Sequence, residues 1–157
     1  MSKLCSVAAA TLMSVFAAGT LVTAQGRIIA SATGSGHITV NGTLRTFAFT
    51  VNRNATGTAS GQMEVINRDQ GVRVHGAVNC LNVVGNTAII SGQVTDANNP
   101  ALEDTYFWLK VVDNGEGSKA PADKMTFALT VVPTLTCDTD LNVPYLDVEK
   151  GNIQIRP

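Results

Sequence analysis

From Arg27 onward, apolar and polar residues alternate with a period of two along nearly the whole chain, and β-branched types dominate the apolar set. Half-buried strands give that period, whereas an amphipathic helix repeats its apolar residues every three to four positions. The alternation predicts eight strands. Arg27–Val40 is the first, and Asn41-Gly42 after it is a two-residue hairpin signal. Thr46–Val51 puts Phe47, Phe49 and Val51 on one face, and Ser60–Asn67 turns Met63 and Val65 the same way. In Val72–Val83 the period places Val72, Val74, Val78 and Cys80 together, so Cys80 is expected to point into the core. Thr87–Thr95 follows, then a longer turn-rich loop from Asp96 to Asp104.

Tyr106–Val112 is the most apolar strand, with Phe107, Leu109 and Val111 on one face and Tyr106, Trp108 and Val112 on the other. A polar loop from Asp113 to Lys124 leads to the strand of Met125, Phe127, Leu129 and Val131, which Pro133 ends. Asn152–Arg156 is the predicted closing strand. Short links between sequential strands imply antiparallel pairing. The expected fold is all-β, a single domain, with an up-and-down β-barrel favoured over a β-sandwich. Gly34, Gly36, Gly76 and Gly92 fall inside strands, where the tight curvature of a barrel wants them.

The N-terminus departs from this pattern. Residues 1–24 hold one lysine, then an uncharged apolar run, then Val22 and Ala24 at the −3 and −1 positions of a cleavage site. That is the layout of a signal peptide. A membrane anchor is the alternative, because Leu4–Val22 approaches a bilayer span. Ala, Ser, Thr and Gly dilute the run, which favours cleavage, and Cys5 precedes the apolar core, which argues against a lipid attachment site. The expected domain is 25–157, secreted or periplasmic, with no transmembrane segment once the leader is removed.

Composition then narrows the partners. Lys3 leaves with the leader, so the remainder is slightly acidic, and nothing electrostatic points to nucleic acid or an anionic membrane. Two cysteines stay, Cys80 and Cys137. In an exported chain they most simply form one disulfide, with free buried thiols as the alternative.

The densest polar cluster is Asp113, Asn114, Glu116 and Asp123, spaced by glycines at 115 and 117. Its oxygens are the metal candidates, for Ca²⁺, although the EF-hand spacing is absent and Asp-Asn-Gly also makes a plain turn. A metal held by the two cysteines is disfavoured, because CxxC spacing and a nearby histidine pair are absent. No other cofactor is implied. His37 and His75 lie in alternating strands without an evident base or nucleophile beside them, and the serines form no nucleophile elbow. One Trp and two Tyr give weak support for a saccharide groove. No catalytic constellation stands out, so an enzyme is not expected.

Three stretches, VHGAVNCLNVVGNTAIISGQV (74–94), VVDNGEGSKAPAD (111–123) and GNIQIR (151–156), resemble a family of small exported bacterial proteins similar to the post-COAP-1 domain. The resemblance spans roughly residues 45–156. It implies export and an all-β fold without implying a reaction. It also implies pairing of Cys80 with Cys137, which match cysteine positions of the family. Longer members carry surface-anchoring modules, whereas this chain reads as a leader and one domain, so release into the medium or periplasm is expected over attachment. The partner is left open, with an envelope or surface partner as one candidate class. The function expected is that of an exported, non-catalytic interaction or structural module, with a small barrel binding an apolar molecule in its interior as the alternative. A core filled by Phe47, Phe49, Phe107, Leu109, Phe127 and Leu129 would exclude a cavity, and a sizeable apolar pocket would favour one.

Overall fold

The computed structural model describes residues 26–117, 119–133 and 136–157, so the signal peptide expected at 1–24 lies outside the described residues. The strands are β1 (Ile28–Val40), β2 (Thr43–Asn54), β3 (Ala59–Asn67), β4 (Val72–Val84), β5 (Thr87–Ala97), β6 (Tyr106–Val112), β7 (Lys124–Thr130), β8 (Leu146–Asp147) and β9 (Lys150–Arg156). A short 3₁₀ turn, Pro100–Leu102, interrupts the loop before β6. All eight predicted strands are present, and β8 makes nine. Two residues are too few to show an alternation, which is why β8 left no signal in the sequence.

The nine strands of the described residues form one antiparallel sheet in the order β8-β7-β6-β5-β4-β3-β2-β1-β9. The sheet is a curled meander rather than two packed layers. Its edges, β8 and β9, are consecutive in the chain and separated only by Val148 and Glu149. Both run antiparallel to their partners, β8 to β7 and β9 to β1. The segment from Leu146 to Arg156 therefore descends as one line that changes partner midway. At the change, Val148 N–H donates to Asp123 O (2.8 Å) and Glu149 N–H donates to His37 O (2.9 Å). This one segment brings the two edges of the sheet together.

Inward-facing residues line up across the strands in rows. Val78, Gly92, Phe107 and Leu129 are one row, and Leu81, Ile90, Leu109 and Phe127 the next. Phe107 is fully buried, and so are Ile90, Val51, Met125 and Ile153. The strand glycines make room for the rings. A Cβ on Gly34 would lie 2.7 Å from the Phe49 ring, and one on Gly92 would lie 2.7 Å from Phe107 and inside contact range of the Ala77 carbonyl. Gly92→Ala is therefore expected to cost about 2 kcal/mol by overpacking. Its urea midpoint should fall without a change of slope, and an unchanged midpoint would remove the steric reason for this glycine.

One predicted orientation is reversed. The β4–β5 register shifts between Val78 and Cys80, so that Leu81 takes the core position and Cys80 pairs with Ser91 on the outer face. A bulge inserts one residue and flips every side chain after it, an event that pure alternation cannot reveal.

Candidate functional site

Asp113, Asn114, Glu116 and Asp123 come together at the seam between the β6–β7 loop and β9. Below Lys124 strand β7 has ended, so β9 has no backbone partner on that side. In an antiparallel strand alternate N–H groups point away from the paired neighbour, here those of Ile153 and Ile155. Asp123 Oδ2 accepts the Ile153 N–H (2.7 Å), and Asp113 Oδ2 accepts the Ile155 N–H (2.9 Å). The other two oxygens hold the loop itself: Asp123 Oδ1 accepts from Asn114 N–H and Asp113 Oδ1 from Gly115 N–H, both at 2.8 Å. Asn114 Nδ2 donates to Ala122 O, and Glu116 Oε1 accepts from the side chains of Asn152 and Gln154.

Two carboxylates thus replace a missing stretch of strand. Each of their four oxygens accepts a hydrogen bond from a backbone N–H. Among the described residues no three His, Cys, Asp or Glu side chains gather in a metal-holding arrangement.

A second assembly lies on the outer face. Cys80, Ser91 and Trp108 face one another across β4, β5 and β6, and the chain from 136 to 145 crosses over them. Cys80 is joined to Cys137 by a disulfide, with Cα atoms 5.6 Å apart. Trp108 Nε1 donates to Thr139 O (2.9 Å), and the indole is fully buried although it lies outside the barrel core. Lys110 pairs with Asp140, and its ammonium lies 5.1 Å from the centre of the Tyr145 ring. That hydrogen bond holds the Asp140 carboxyl below its ordinary 3.8 and the Lys110 ammonium above its ordinary 10.5. The tie is at full strength between those two values, fading in acid as Asp140 protonates and in base as Lys110 loses its proton. The apolar outer stripe of β6 is the reason this strap has something to cover.

The histidines separate. The His37 carbonyl serves the seam, whereas His75 stands opposite Glu64, with Nε2 2.6 Å from that carboxylate and 3.0 Å from Arg73. Arg73 continues to Asp96 at 3.0 Å. An open trough of about 790 Å³ runs beside this pair over the outer faces of β9, β1, β2 and β3, lined by Thr33, Thr50, Gln62 and Gln154 among others. The Glu64–His75 contact is cross-strand, between residues eleven apart, and only the register of β3 on β4 creates it.

Another concavity is in the interior. Strand β8 pairs only with Lys124 and Met125, and β9 pairs β1 no further than His37. Ile38–Val40 and Thr126–Thr130 therefore face a gap in the seam. A cavity of about 410 Å³ opens there, walled by Ile38, Val40, Phe47, Val65, Met125 and Phe127 and rimmed by Val143 and Pro144. A smaller hollow of about 170 Å³ adjoins it through the shared Arg45, Val65 and Phe127. The middle of the barrel is filled by Phe49, Phe107 and Leu109, whereas Phe127 and Leu129 are only partly buried. All six residues expected in the core face inward; Phe47, Phe49, Phe107 and Leu109 are buried, while Phe127 and Leu129 pack against them at the open end.

Comparison with family models, with curated proteins and with solved structures returned no match to this chain.

Proposed function

We propose that this chain is an exported, non-catalytic β domain that holds a small apolar molecule at the open end of its curled sheet. The observation carrying the proposal is the apolar cavity of about 410 Å³ between Ile38–Val40 and Phe127, within the size range of small-molecule pockets. Three further facts support it. The densest acidic cluster spends its oxygens on backbone N–H groups and so has a mechanical role. The Cys80–Cys137 bond suits an oxidising compartment, and no helix among the described residues is long and apolar enough to cross a membrane. The stretches that resemble the post-COAP-1-like proteins supply Cys80 with its bulge, the Asp113 and Asp123 carboxylates, and the strand they hold. Membership of that exported bacterial group is part of the proposal.

The test is titration of the purified protein with N-phenyl-1-naphthylamine, a neutral apolar dye whose emission rises out of water. A saturable one-to-one rise is expected, at least tenfold weaker in Val65→Phe, which fills the cavity. Trp108 emission, reporting the opposite assembly, should be the same in both proteins. Dye binding that is absent, or indifferent to Val65→Phe, would refute the cavity as a binding site.

A further inference from the structure

The cavity is not purely apolar. The inward face of β2 reads Arg45, Phe47, Phe49, Val51, Arg53, so that two arginines flank the three core residues and point the same way as they do. Arg45 lines both the larger cavity and the adjoining hollow. Its Nε is buried and has no hydrogen-bond partner, and none of the four ion pairs among the described residues includes it. Arg53, at the other end of β2, also has an unpaired Nε, but its Nη1 donates to Leu81 O (3.1 Å) and it lines none of the hollows described above. A guanidinium stays charged at any physiological pH, and shielding part of it from water without an acceptor is unfavourable. A carboxylate matches its fork of donors and supplies the missing negative charge.

We propose, on the premise that the cavity is a binding site, that its occupant is an amphipathic carboxylate. The apolar body lies among Ile38, Phe47, Val65 and Phe127, and the carboxylate pairs with Arg45. The gap in the seam above Leu146 gives such a molecule its way in. Arg45 stands at the end of the inward row of β2, so the ligand's charged head meets the guanidinium while its chain lies along the apolar wall. The arrangement selects by charge as well as by shape: a neutral molecule of the same length would leave the guanidinium unsatisfied.

Binding of decanoate, methyl decanoate and 1-decanol to the purified protein, measured by displacement of the neutral dye, tests this. Decanoate is expected to bind at least tenfold more tightly than the ester or the alcohol. In Arg45→Gln that preference should disappear while the alcohol binds as before, which also shows that the variant is folded; Arg45→Lys should keep part of it. If all three bind the wild-type protein equally, the charge inference is overturned and the cavity survives as a neutral apolar site. If Arg45→Gln keeps the preference for decanoate, the inference is overturned at that residue. If none displaces the dye, the amphipathic-carboxylate inference is overturned, while the cavity reading stands or falls with the dye's own response to Val65→Phe.

Discussion

Asp123→Ala is expected to lower the free energy of unfolding by about 4 kcal/mol, the sum of two hydrogen bonds to a charged acceptor at roughly 1.5–3 kcal/mol each. Asp123 is only 6% exposed, so water cannot readily take over when its carboxylate is removed. The N–H groups of Ile153 and Asn114 would both lose their acceptor, one on the closing strand and one in the loop. For a domain whose whole stability lies near 5–15 kcal/mol that is a large fraction. Asp123→Asn should recover less than half of it, because an amide offers one acceptor oxygen and turns its NH₂ toward the second N–H. Glu116→Gln, whose partners are exposed side chains, should stay within about 0.5 kcal/mol of wild type. Urea unfolding of the three variants measures the series. An Asp123→Ala protein as stable as Glu116→Gln would mean that the seam is not held by this carboxylate.

Loss of the Cys80–Cys137 bond should cost a similar amount, about 4 kcal/mol in the chain-entropy account of a loop of this length. The readout is built in. Trp108 is the chain's one tryptophan, and it is buried beneath the strap that the bond holds down. Reduction, or Cys80→Ser with Cys137→Ser, is expected to shift its emission to the red at denaturant concentrations where the far-ultraviolet signal of the sheet is still intact. The reason is that the strap closes over the outer face, while the core rows of Phe107 and Leu109 lie on the other side of β6. An emission change that coincides with loss of the sheet would show strap and barrel to be one cooperative unit. Unchanged stability after reduction would show the bond to be incidental.

The strands were legible because a half-buried sheet writes its period directly into the residues. Phe47, Phe49 and Val51 are inward as the alternation requires, and so are Met63, Val65, Phe107, Leu109 and Val111. The face that Cys80 takes is not legible in the alternation, because a bulge is a single inserted residue with no compositional mark, and Leu81 beside it is an equally good core residue. The acidic loop was legible as a cluster and as a turn. Its partners were not, because Ile153 and Ile155 reach it as bare N–H groups, which every non-proline residue carries. Arg45 carries no signal in the sequence, since an arginine near a hairpin turn reads as an ordinary solvated charge until the strand's inward face is known.

Period, turn chemistry and residue types along the chain therefore determined an all-β, antiparallel, sequentially paired domain, and placed two cysteines and an acidic loop within it. Tertiary structure alone decided how the sheet ends meet, which face Cys80 takes, what the carboxylates hold and where the interior stays open. The reason is the range of the forces involved. Alternation follows from each residue's own burial, whereas closure depends on Leu146–Arg156 exchanging β7 for β1 midway, on contacts between residues thirty or more positions apart, and on a β8 too short to fill the seam beside Phe127.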